Sequence, residues 1–159
     1  LLLLFFLAAA VAAPVWGKLA ERIGAKQTLL AAMVLSIIAF SFAMLLGTGD
    51  TVLFAVICLA SGAAVGADLT LLPAIFAQRM QTVAPNASEG FALWGFVSKL
   101  TLAFAAIALL PVLEASGFVS GPDNDADALR MLTLLYAGVP CALKLVAIGL
   151  LVATPIGRD

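Results

Sequence analysis

Apolar stretches long enough to approach a bilayer crossing alternate along this chain with short polar links. A membrane helix needs about 20 predominantly apolar residues. Five segments fit that pattern, at about 1–16, 29–46, 52–76, 90–113 and 129–153. Between them lie the polar stretch 17–26, the turn 47–50, the link 78–89 and the acidic loop 117–127, with a short polar tail from 155 onward. The pattern predicts an all-α membrane protein, a single transmembrane bundle over 1–159. The sequence opens directly on Leu1 inside an apolar run, with no Met and no basic residues ahead of it. A signal peptide is not built that way. The expectation is a C-terminal piece that enters its first membrane helix part-way, with the N-terminal half of the same protein missing.

Composition agrees with lipid as the solvent. Hydrophobic residues make up 64% of the chain and charged residues 11%, and the mean hydropathy is +1.19. Soluble domains are nearer half apolar and a quarter charged. A net charge of −1 argues against nucleic acid as a partner. With no His in the sequence, imidazole metal ligation and His-based acid–base catalysis are both excluded. Cys58 and Cys141 fall in separate apolar runs and read as small core residues. No metal site and no cofactor is implied.

The charges that remain are informative by position. Lys18, Arg22, Lys26, Arg79 and Arg158 fall on one side of the spans; Asp50, Glu114, Asp123, Asp125 and Asp127 fall on the other, with Arg130 their only base. The positive-inside bias makes the first side cytoplasmic and places the C-terminus there. Asn86-Ala-Ser88 would then face the cytoplasm and carries no weight as a glycosylation site.

Three ionisable residues lie within the spans: Asp68, Lys99 and Lys144. Each costs roughly 2.5–3.5 kcal/mol to insert unless it finds a partner or water. Asp68 is eight residues before Phe76, Lys99 ten after Glu89, and Lys144 nine before Ala153. At 1.5 Å per residue all three come about 12–15 Å from the cytoplasmic boundary, close to mid-bilayer. Two readings are open. An Asp68–Lys99 or Asp68–Lys144 pair can be structural glue between helices, or the three can line a water-accessible cavity for solute or ion.

Other features have plain explanations. Gly62 and Gly66, ahead of Asp68, form a small-residue face for close helix packing, or a hinge. Pro73 and Pro140 are expected to kink their helices. Trp16 and Trp94 are expected to anchor helix ends in the membrane interface.

The polar link Gly17-Lys-Leu-Ala-Glu21-Arg22-Ile-Gly24-Ala-Lys26 combines an acid, bases and glycines in a very short turn. Such groups can bond helix ends and neighbouring loops in one conformation and release them in another, making a cytoplasmic gate from Gly17, Glu21, Arg22, Gly24 and Lys26. A solvated loop is the other reading. The link resembles the Gly-x-Leu-Ala-Asp-Arg-x-Gly-x-Lys signature of the major facilitator superfamily, found between helices 2 and 3 and between helices 8 and 9. Four spans follow it here, which matches the second location and helices 8 to 12 of a twelve-helix carrier.

The stretches 66–74, 93–100 and 135–144 are similar to the glycoside–pentoside–hexuronide:cation symporter family, the melibiose permease-like group. That resemblance implies secondary active transport of a sugar or glycoside with Na⁺ or H⁺ by alternating access, in a bacterial inner membrane. It implies a role for Lys99 near the cation and sugar region. Asp68 and Lys144 match positions charged in some family members. The chain departs from the family at Ala77-Gln78-Arg79-Met80-Gln81, where two acids are usual, and at Leu69, where a sugar-contacting aromatic is found, so galactoside specificity does not carry over. The family's cation-binding acids belong to the N-terminal half. A non-transporting or receptor-like membrane subunit is one alternative. A membrane-embedded enzyme is another, but it would need a nucleophile–base set or metal ligands that these spans do not show.

Overall fold

The computed structural model describes residues 2–46, 49–83, 89–119, 121 and 124–154. All regular structure among them is helical: α1 Leu2–Ile23, α2 Ala25–Ala43, α3 Thr51–Val83, α4 Glu89–Ala115, α5 Ala126–Thr133 and α6 Val139–Ala153. A π-helical turn, Leu134–Gly138, joins α5 to α6, so Ala126–Ala153 forms one span. Five helices are thus long and apolar enough to cross a membrane. Helix is the form lipid demands, because it pairs every backbone N–H and C=O within the segment.

The helices are longer than the apolar runs suggested. Residues 17–23, expected in a link, belong to α1, and only Gly24 interrupts helix between Ala20 and Thr28. At φ +90, Gly24 adopts a conformation that a side chain would oppose. Its N–H donates to the Ala20 carbonyl at 2.9 Å, and its own carbonyl accepts from Thr28 N at 3.1 Å and Thr28 Oγ1 at 2.9 Å. One residue therefore ends α1 and starts α2. At the other end α2 stops at Ala43, short of the expected Leu46. The sequon and the tail beyond Thr154 lie outside the described residues, as do Asp123 and Arg158.

By contacts the chain divides into two compact units, one holding the sequence up to Ala77 together with that from Ala137 onward, the other Gln78–Tyr136. In the first, Leu29, Ala32 and Met33 of α2 pack on Ala67 and Leu71 of α3, flanked by Trp16 and Ala20 of α1 and by Ala147, Ile148 and Leu151 of α6. A second cluster joins Ala43, Ile57 and Ala137. Lipid chains are as apolar as leucine, so close approach of backbones, rather than escape from water, holds such helices together. The buried set is accordingly small: Ala32, Ala39, Ala64, Ala67, Thr28, Ser36 and Ser61 among others.

Gly62 and Gly66 show the approach at its closest. A Cβ on Gly66 would stand 2.5 Å from the Ala9 carbonyl oxygen, and one on Gly62 would meet that of Phe5. The two contacts advance together along both chains, so α1 and α3 run parallel here. This is packing of backbone on backbone, the plainer of the two readings given to these glycines.

In the second unit, Asp125 caps α5 by accepting from Ala126 N at 2.9 Å. Asn124 folds the loop ahead of it, donating to the carbonyls of Val119 at 2.7 Å and Gly121 at 2.8 Å. α4 buries none of its residues.

Proline is tolerated inside four of these spans. Pro140 lies two residues past the π-helical turn, and the wider turn accommodates a residue that has no N–H to donate. Pro14, Pro73 and Pro111 stand within α1, α3 and α4.

Candidate functional site: an intramembrane ion pair

Asp68 sits near the middle of the 33-residue α3, and Lys144 lies within the Ala126–Ala153 span. Lys144 Nζ donates to Asp68 Oδ2 in an ion pair whose side chains are each 19% exposed. Of the two pairings that the sequence left open, the structure forms this one. A lone carboxylate or ammonium at this depth would pay for leaving water, and mutual attraction in a low-dielectric setting offsets much of that cost. The pair does not satisfy everything: Asp68 Oδ1 is buried without a hydrogen-bond partner among the described residues.

Lys99 behaves differently. It lies on α4, exposed, and makes no hydrogen bond or ion pair among the described residues.

The polar end of α1 and α2 divides in the same way. Lys26 Nζ donates to the carbonyl oxygens of Thr154 at 2.7 Å and Val152 at 3.3 Å. These belong to the last turn of α6, where carbonyls have no partner within the helix and the helix dipole favours a cation. Lys26 thus caps a neighbouring helix and ties α2 to α6. Glu21 and Arg22, placed on the last turn of α1, are exposed and form no ion pair among the described residues. Gly17 has open space around it.

Trp16 has a partner that the sequence did not show. Its indole N–H donates to the Ala63 carbonyl of α3 at 2.7 Å, so it joins two helices. Cys141 is half-buried, its thiol 3.8 Å from the Ile37 carbonyl of α2. No group of three or more His, Cys, Asp or Glu side chains that could hold a metal occurs among the described residues.

Sequence reasoning passed over Ser36, which is 1% exposed with its hydroxyl unpartnered among the described residues. The signal was present in the spacing of small residues, Thr28, Ala32 and Ser36, at intervals of one turn.

A family model described as MFS/sugar transport protein matches residues 1–158. The chain belongs to this family. It is an integral membrane protein of the major facilitator transporters, and the Asp68–Lys144 pair is an intramembrane feature of such a protein. No curated protein and no solved structure gives a significant match.

Proposed function

We propose that this transporter moves a sugar or glycoside together with Na⁺ or H⁺, by alternating access. The observation that carries the reading is the Asp68–Lys144 pair, two charges placed deep within apolar spans. Ionisable groups are rare at that depth and mark solute or ion pathways when they occur. The family match supports sugar as the solute class. Similarity of 66–74, 93–100 and 135–144 to the melibiose permease-like symporters supports cation coupling and a correspondence with helices 8 to 12 of a twelve-helix carrier.

In this reading Asp68, Lys99 and Lys144 line the pathway. Lys99, exposed on α4 and without a partner among the described residues, is a cation that a carboxylate, a coupling ion's acid or a solute hydroxyl would meet. Lys26 belongs to a cytoplasmic gate with Gly17, Glu21, Arg22 and Gly24: its bonds to the last carbonyls of α6 can form in one conformation and break in another. The C-terminus is cytoplasmic and the membrane a bacterial inner membrane.

The test is uptake in proteoliposomes of radiolabelled α- and β-galactosides, glucosides and pentosides, driven by a Na⁺ or a proton gradient. Accumulation of at least one class under one gradient is expected, abolished by collapsing that gradient. Lys99→Ala and Asp68→Asn are each expected to lower it at least tenfold while the protein remains in the membrane. Uptake that survives both substitutions removes these residues from the pathway.

A further inference from the structure

The oxygens that the ion pair leaves over point to a site of their own. Hydroxyl side chains in these helices share one habit. Ser41, Ser61, Thr70, Ser98, Thr101 and Thr133 each donate to the carbonyl four residues back. Ser36 does not. Its Oγ and Asp68 Oδ1 are the buried side-chain oxygens without a hydrogen-bond partner among the described residues.

The two lie about one turn apart along the first unit. Along α2 the packed positions run from Ala43 back through Met33 to Leu29, while on α3 they advance from Ile57 through Ala67 to Leu71. On the last helix they advance from Ala137 through Ala147 and Ile148 to Leu151. α2 is therefore antiparallel to both. The Lys26–Thr154 bond and the Cys141–Ile37 contact follow the same register. Interpolation sets Ser36 level with Lys144 and one turn from Asp68. A turn rises about 5.4 Å, and side chains on a helix lean toward its N-terminus. On these antiparallel helices Ser36 and Asp68 therefore lean toward one another's level, within the reach of one bridging oxygen with hydrogen bonds of about 2.8 Å on either side.

We propose that Ser36, Asp68 and Lys144 bind a single buried water molecule. It donates to Asp68 Oδ1 and accepts from Ser36 Oγ–H and from an N–H of Lys144 that Asp68 does not use. Three polar partners are typical for a buried water. The carboxylate disfavours an anion there and the ammonium disfavours a cation, so a small neutral molecule that both donates and accepts is what the chemistry selects. This deepens the transport reading, on which its functional meaning rests. A water between the charges lets the pair part without leaving either bare in lipid, and Ser36 is the positioning residue for it.

The test is the melting temperature of the purified intact protein in detergent micelles. Ser36→Ala is expected to melt about 2–4 °C below wild type. Ser36→Thr keeps the hydroxyl and Ser36→Val has the same shape without it; the Thr variant is expected to melt above the Val variant by a similar margin. In an Asp68→Leu/Lys144→Met background, which leaves no lone charge and removes both of the water's other partners, that advantage of Thr over Val should be lost. The proposal is overturned if Ser36→Ala melts at or above wild type, if the Thr and Val variants melt together, or if their difference persists in the neutral background. None of these readings uses a solute, so failure of sugar transport would leave this result standing, and failure here would leave transport open.

Discussion

α3 and α4 are both long and strongly apolar, yet they differ in what they bury. α3 buries Ile57, Cys58, Ser61, Gly62, Ala64, Gly66, Ala67 and Leu71; α4 buries nothing. Both carry one ionisable residue near the middle. On α3 it is paired, and on α4 it is exposed and without a partner among the described residues. Hydropathy therefore decides that a helix enters lipid, while backbone approach and charge placement decide what it does there. Small side chains alone do not bring helices together, since Gly95 of α4 has open space where Gly66 of α3 meets a carbonyl.

The sharpest way to break this comparison is to add side chains to the two glycines. Gly66→Val must displace the backbone of α1, and overpacking costs about 1–3 kcal/mol even where the neighbours can adjust. It is expected to remove most of the monodisperse protein in size-exclusion chromatography, whereas Gly95→Val should leave the elution profile unchanged. Equal behaviour of the two would erase the distinction between the helices.

Charge removal comes next. Lys144→Met leaves Asp68 as an uncompensated carboxylate in the membrane, a loss of about 3–5 kcal/mol for a buried pair broken on one side. A fall in melting temperature of several degrees is expected. Lys99→Met should melt within about 1 °C of wild type, in keeping with the small effect of exposed substitutions. A large destabilisation by Lys99→Met would show that this lysine is a structural partner after all.

Lys26→Met loses both bonds to the end of α6. The cost is about 1 kcal/mol, and it should be local. Hydrogen–deuterium exchange at 150–154 is expected to speed up about fivefold, with the amides around Ala67 unchanged. An effect of similar size is expected from Trp16→Phe, which keeps an aromatic ring but drops the bond to Ala63. A stability loss of about 0.5–1.5 kcal/mol by thermal unfolding fits one hydrogen bond, and no change would return Trp16 to a simple interface role.

Much of the fold was legible because lipid simplifies the rules. With water absent, apolar length forces helix, so spans could be placed from runs of Leu, Ala, Val and Phe. Helix ends were less legible. Lys18, Glu21 and Arg22 look like a loop by polarity, but these residues are good helix formers, and α1 continues until Gly24 supplies a positive φ. The pairing of Asp68 was half legible. Depth brought two lysines to the same level, and only the packing of α6 on α2 and α3 selects Lys144. The target of Lys26 and the burial of Ser36 were not legible by motif, because both depend on which helices are neighbours.

The account rests on the charges of Asp68 and Lys144 serving passage as well as packing. The direct measurement compares folding and gradient-driven sugar uptake in the Asp68→Asn/Lys144→Gln protein, in which no bare charge remains. The account predicts a protein that melts within a few degrees of wild type and accumulates at most a tenth as much sugar. Wild-type uptake by this neutral protein would show that the pair does no more than hold α3 and α6 together.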